Sequence, residues 1–297
     1  MTLADRVECS AISLAVAESP VGTASRYRHW LMLEQPGPWG HDALVESQLP
    51  LEVGRLLRER GRAAGVRVLL IKNRTRLVGP RQCFAVYTGS QRRWVRSFEV
   101  TDPAELLDLD LHAQVTQRFV DLGDAFERPL SLVCTHGKHD PCCARHGAPL
   151  FRALEGLPDV WECTHIGGDR FAGNIVCFPH GFYFGRVPAS AGRRVVQAYA
   201  RGEIVLDHFR GRSAYSPPVQ AAEERIRRTF GLIGVDDLVL VRHVGRERPA
   251  QRVEFRGRNW ERYAAEVEVS TLEPRPLTCK VSTPHSPRAY TVRDVED

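Results

Sequence analysis

Lysine is nearly missing from this 297-residue chain: Lys72, Lys138 and Lys280 are its only lysines, so the formal charge of +5 rests on arginine. The arginines are scattered from end to end, and no basic stripe with interleaved aromatics appears. Binding to nucleic acid is therefore not expected. Long apolar runs are lacking too, and none approaches the length of a bilayer-crossing helix. The apolar stretch from Ala11 to Ala17 is short, and Asp5 and Glu8 precede it in place of the basic cluster of a secretory signal. These absences predict a soluble cytoplasmic protein with no membrane association. Also absent are a Cys-X-X-Cys pair, a Gly-X-Gly-X-X-Gly fingerprint, a Walker loop, an internal repeat and any low-complexity segment, so no dinucleotide of the chain's own is expected.

What is present is ordinary globular composition, 43% hydrophobic and 26% charged, long enough to bury a core without disulfide staples. Eight cysteines in a cytosolic chain are expected to be thiols, metal ligands or core residues. The first half alternates strand and helix patterns. Trp30 to Glu34 is a short apolar run, Leu49 to Ala64 has helical spacing, and Val66 to Ile71 has a buried-strand pattern. Phe84 to Tyr87 and Trp94 to Val100 pair around the Gly89-Ser90 turn. A helix is expected from Asp102-Pro103 to about Leu122. Leu130 to Cys134, Cys143 to Leu154 and Val160 to Cys163 form a strand-helix-strand unit, followed by a hairpin of Ile175 to Phe178 with Phe182 to Gly185 and a helix from Ser190 to Ala200. That succession is compatible with a thioredoxin-like core. Beyond Gly202 the polar stretch to Ser216-Pro217-Pro218 is expected to be a connector, followed by a helix from Val219 to Phe230 and strands at Leu238 to His243, Gln251 to Phe255 and Ala264 to Val269. The predicted class is mixed α/β. Residues 1–127 form an N-terminal α/β region, 128–202 the thioredoxin-like core, and 203–297 a C-terminal extension of helix and strands.

Chemistry concentrates in Cys134-Thr-His-Gly-Lys-His-Asp-Pro-Cys-Cys143, which places Cys134 at a strand end and Cys143 at a helix start with eight residues between. A thiolate at a helix N-terminus is stabilised by the macrodipole and free amides, which favours metal ligation and thiol reactivity alike. After the next strand comes His165-Ile-Gly-Gly-Asp169, where two glycines allow a tight turn that brings positions 165 and 169 to one point. Buried apolar thiols are the plain alternative for the two cysteines, and an ordinary turn carboxylate for Asp169.

These residues resemble the sucrase/ferredoxin-like family, or thioredoxin-like ferredoxins, whose motif is Cys, eight residues, Cys, then His-X-Gly-Gly-His. Cys134, Cys143 and His165 stand in register. So do the flanking Arg170-Phe171-Ala172 and Tyr183-Phe184-Gly185-Arg186, and Gly22-Thr23-Ala24, Glu34 to Trp39 and Ala221-Ala222-Glu223 are similar to family features as well. The resemblance implies a 2Fe-2S cluster on two cysteines and two histidines, and electron transfer. Position 169 is the departure, with Asp for the second His. Asp169 ranks first as fourth ligand because the spacing is kept, with Cys163, His139, His136 and His180 as alternatives, and loss of the cluster from this branch as another. Two thiolates opposite imidazole is Rieske-type ligation, which raises the potential.

An electron-transfer protein of this kind needs a donor reductase as partner. The same donors would suit a zinc-stabilised structural or binding module. Thiol-disulfide exchange ranks lower because vicinal Cys142-Cys143 is awkward for a disulfide. No facing pair of carboxylates is singled out for glycoside hydrolysis. Cys142 is expected to be a spectator, and Cys9, Cys83, Cys177 and Cys279 to be core or edge residues. His136 and His139 are either neighbours of the ligands or exposed, Asp140 can pair with Arg170, and Tyr183 and Arg186 are either packing residues or a docking patch for an acidic redox partner.

Overall fold

The structure, a computed structural model, describes residues 8–73, 79–112, 122–246, 248–281 and 283–296. Its elements in chain order are α1 (Cys9–Ala15), β1 (His29–Glu34), α2 (Ala43–Glu46), α3 (Leu51–Ala64), β2 (Val66–Lys72), β3 (Arg81–Tyr87), β4 (Trp94–Val100), β5 (Asp124–Ala125), β6 (Leu130–Cys134), α4 (Pro141–Ala153), β7 (Val160–Cys163), β8 (Ile175–Phe178), β9 (Phe182–Phe184), α5 (Ala189–Ala200), β10 (Phe209–Arg212), α6 (Pro217–Phe230), β11 (Val239–Val244), β12 (Ala250–Arg256), β13 (Arg262–Thr271) and β14 (Arg288–Glu296). The fold is mixed α/β, as predicted. Among the described residues no helix is long and apolar enough to cross a membrane.

Strands 1 to 10 form one sheet in the order β10-β9-β8-β6-β7-β2-β1-β3-β4-β5, and β11 to β14 form a second, antiparallel one. Within the large sheet β6 and β7 are parallel neighbours joined through α4, and β8 and β9 continue antiparallel beyond β6. This is the strand-helix-strand, hairpin and helix arrangement expected of the thioredoxin-like core. The sheet runs through both expected region boundaries. β7 bonds to β2 through Ile71 with Cys163 and Lys72 with Glu162, and β10 bonds to β9.

Side-chain alternation assigns the two faces of the sheet. Leu130, Leu132 and Cys134 of β6 join Trp30, Met32, Trp161 and Phe178 in one core, while Val133 turns the other way to Leu150 of α4 and Val195 of α5. In the N-terminal half Leu31, Leu33 and Leu70 pack on Leu57 of α3. α3 keeps Val53, Leu57 and Gly61 on its buried side and ends at Gly65, whose φ of 69° supplies the left-handed cap. α6 lies on the second sheet through Ile226, Phe255 and Val267.

Two expectations are corrected. The stretch after Gly202 is more than a connector, since Phe209–Arg212 is a fully buried edge strand. The helix expected from Asp102 is a 3-10 turn over Pro103–Leu107, capped by Asp102 as predicted; its expected continuation over residues 113–121 lies outside the described residues. Strand β14 has no counterpart in the sequence reading.

Candidate metal centre

β6 and β7 end side by side, Cys134 opposite Cys163 in register, and the chain leaving each carries the candidate ligands. The carboxyl ends of neighbouring parallel strands are where open α/β sheets place their sites. From Cys134 the chain loops to Asp140, which caps α4 by accepting a hydrogen bond from the Cys142 N–H at 2.9 Å, and Pro141 takes the first helical position. Cys143 thus sits in the first turn with its thiol beside Cys134. α4 approaches so closely that a Cβ on Gly147 would stand 2.0 Å from the Cys134 carbonyl oxygen.

After β7, Gly167 and Gly168 take φ of 97° and 82°, folding the segment so that His165 and Asp169 face the thiols. One donor atom each from Cys134, Cys143 and His165 lies within 4.8 Å of the others, and the same holds for His139, His165 and Asp169. His165 Nδ1 is 2.9 Å from Asp169 Oδ1 and 3.9 Å from Cys143 Sγ, and the Cys143 thiol donates to Asp169 Oδ1 at 3.3 Å. His165 thus links two donor groups, one with Cys134 and Cys143 and one with His139 and Asp169, and Asp169 reaches the first group through Cys143.

The local electrostatics favour one thiolate. The neighbouring Cys143, aided by His165, holds the Cys134 thiol well below its ordinary range despite burial, and Cys134 together with burial pushes Cys143 well above it. Burial opposes charge on His165, but Asp169 and Cys134 outweigh it and raise its pKa to about 9. Asp169 is likewise disfavoured by burial, yet the bond to His165 keeps it below the usual carboxylate range.

His136 and His139 form a surrounding layer. His139 stacks on His165 with centroids 3.9 Å apart, and burial lowers its pKa to about 4. His136 is buried, sits 2.8 Å through Nε2 from the Gly40 carbonyl, and accepts the His165 N–H at 3.4 Å. Trp39 meets it edge-on, which gives the Glu34 to Trp39 segment its place beside the site. Cys163 is fully buried in the core and outside both donor groups, while His180 lies at the β8–β9 turn against Tyr199 and Asp236. Of the reserve ligands, only His139 shares a donor group with His165 and Asp169.

Two arginines that the sequence reading passed over grip the ligand loop. Arg67 of β2 donates to the His165 carbonyl at 2.6 Å. Arg210 of β10, fully buried, donates to the Gly167 carbonyl at 3.1 Å, to Asn174 Oδ1 at 2.7 Å and to the Thr23 carbonyl at 2.6 Å. Asn174 in turn donates to the Gly168 carbonyl at 2.9 Å. A charged residue in a polar stretch gives no sequence signal of such burial. Asp140 does not pair with Arg170, which instead meets Glu18 at 2.9 Å. Tyr183 is buried and Arg186 donates to Ser13, so both have packing roles. The exposed edge of His165 lines a cleft of about 620 Å³ together with Tyr27, His41, Arg67, His139 and Lys280.

Residues 20–211 match the model of a family described as sucrase/ferredoxin-like. Among curated proteins the chain is similar to altered inheritance of mitochondria protein 32 of Meyerozyma guilliermondii, 28% identical over 166 residues that cover 45% of this chain and 58% of that protein. It is also similar to the protein of the same name from Eremothecium gossypii, 30% identical over 106 residues that cover 30% of this chain and 34% of that protein. The matches thus span 58% and 34% of those relatives' lengths. Among solved structures, a cysteine-to-serine variant of the thioredoxin-like [2Fe-2S] ferredoxin from Aquifex aeolicus aligns at 17% identity with a TM-score of 0.24, covering 27% of this chain and 96% of that one.

Proposed function

Because the chain belongs to the sucrase/ferredoxin-like family, we propose that Cys134, Cys143, His165 and Asp169 hold a 2Fe-2S cluster and that the protein passes single electrons through it. The observation that carries this reading is that His165, its side chain 19% exposed, joins the two thiols of Cys134 and Cys143 on one side and the carboxylate of Asp169 on the other in a largely buried corner. The donor chemistry fits: the sulfurs suit iron, and imidazole and carboxylate supply the nitrogen and oxygen ligands of its second metal. Each donor now satisfies another, Cys143 giving its proton to Asp169 and His165 pairing with the same carboxylate, so ligation replaces contacts already made within the set. A bound cluster supplies one-electron chemistry.

The chain's own residues do the rest. Gly167 and Gly168, pinned by Arg210 and Asn174, hold the His165–Asp169 segment in place. The depressed basicity of His139 keeps a neutral ring stacked on His165, so a second cation is not forced against it. The cleft beside His165 is where a donor protein, a reductase of unassigned identity, would approach.

The test is anaerobic purification with iron and acid-labile sulfide analysis and electron paramagnetic resonance of the dithionite-reduced protein. Equal iron and sulfide, a red-brown colour and a reduced-state signal are expected. A colourless protein carrying zinc at these four residues would overturn the reading in favour of a structural metal module.

A further inference from the structure

Cys142, next to the ligand Cys143, faces away from that centre and meets two cysteines from opposite ends of the chain. Its Sγ is 3.6 Å from Cys9 Sγ of α1 and 3.5 Å from Cys279 Sγ, and Cys279 is 3.5 Å from Cys9. The three sulfurs form a nearly equilateral triangle, and Asp140 completes a group of four donors all within 4.8 Å of one another. We propose that Cys9, Cys142 and Cys279, with Asp140 as fourth donor, are a second metal site that takes a thiophilic ion with tetrahedral preference, Zn²⁺ foremost.

The geometry favours an ion over the alternatives. A zinc about 2.3 Å from each sulfur in a tetrahedral site sets sulfurs about 3.8 Å apart, so the triangle needs to expand by only a few tenths of an ångström. A disulfide needs two sulfurs at about 2.05 Å, strands the third thiol and requires an oxidant. Asp140 is placed for the fourth position. Its carboxylate accepts from the Cys142 N–H at 2.9 Å, the Cys279 N–H at 2.7 Å and the Thr278 hydroxyl at 2.9 Å. A carboxylate has about four acceptor sites, and the fourth faces the Cys9 thiol at 4.0 Å, whose proton the ion would replace. The sulfurs have the outer partners usual around metal-bound thiolates. The Cys9 N–H donates to Cys279 Sγ at 3.5 Å, and Ser10 Oγ lies 3.3 Å from Cys142 Sγ and 3.1 Å from His146 Nε2. Cys142 also sits in the first turn of α4, where thiolates are stabilised. Binding exchanges the three thiol protons for the ion and releases them to solvent. It would staple α1 and the segment between β13 and β14 to the start of α4, the turn that carries Cys143.

The test uses the full chain, purified reduced, in two backgrounds: Cys134→Ser/Cys143→Ser, which removes the first centre, and Cys9→Ser/Cys279→Ser, which removes the second. About one zinc per chain is expected in the former and its loss in the latter. Unchanged zinc in Cys9→Ser/Cys279→Ser, or none in Cys134→Ser/Cys143→Ser after incubation with excess zinc, overturns the proposal. A measurement on the unsubstituted protein guards against misfolding of the variants: alkylation mapped by mass spectrometry with zinc present and after chelation. Cys279 is expected to be protected at least tenfold by zinc. Equal alkylation in both states, or a disulfide among the three cysteines, overturns the site.

Discussion

Asp169 is the residue on which the electronic character of the proposed centre turns. An anionic oxygen ligand stabilises the oxidised iron more than neutral imidazole does, so Asp169→His should raise the reduction potential by on the order of 100 mV. A spectroelectrochemical titration of the two proteins checks this, and an unchanged potential would remove Asp169 from the ligand set. A second residue sets a pH dependence away from the centre. His29 is buried on β1 against Tyr87, and burial, with Arg28 adding, lowers its pKa to about 4 from an ordinary 6.5. Between those values the unfolded chain binds the proton and the folded one does not. Stability is therefore complete above pH 6.5 and falls as the pH drops toward 4, by about 3 kcal/mol for this residue. Urea midpoints at pH 7 and pH 4.5 should converge in His29→Leu relative to wild type. The slope will not vanish, because burial lowers His180 to about 4 as well.

At the scale of elements, α4 is fixed against β6 by an absence of side chain. Gly147 lets the helix backbone touch the Cys134 carbonyl, and a methyl group there would meet it at 2.0 Å. Gly147→Ala should push the first turn outward, separate Cys143 from Cys134 and lower cluster content several-fold in visible absorbance per chain, even though alanine is the better helix former by about 1 kcal/mol. Elements of this kind were legible in the sequence where burial and pattern agreed. Leu130–Cys134 and Val160–Cys163 are short, mostly apolar runs interrupted only by Ser131 and Glu162, and the structure gives them those limits. β10 was not legible because Arg210 and Arg212 are the sort of residue that marks a surface. Here Arg212 is neutralised by buried Glu223 at 3.0 Å, which also meets Arg227 at 3.0 Å, and only the folded chain reveals that pairing.

The whole molecule explains why one donor set was readable and the other was not. Cys134, Cys143, His165 and Asp169 lie in one strand-helix-strand unit and the turn that leaves it, so local spacing announces them. Cys9, Cys142 and Cys279 are 133 and 137 residues apart along the chain, and only the docking of α1 and the β13–β14 connection onto α4 unites them. The same scale governs the expected division into regions. Residues 128–202 contain every proposed cluster ligand. Yet the carbonyls of the ligand loop are held by Arg67 from one side of that segment and Arg210 from the other. A fragment of residues 128–202 should bind iron poorly and lose it within minutes to a chelator that the full chain resists for hours, as followed by bleaching of the visible absorbance.

The two guanidinium grips on that loop would make the proposed redox unit indivisible. Its ligands are encoded in one short stretch, but the rigidity they need is borrowed from strands on either flank. An ancestor or a designed miniature that kept only the short stretch would have to invent substitutes for both arginines before it could retain its metal.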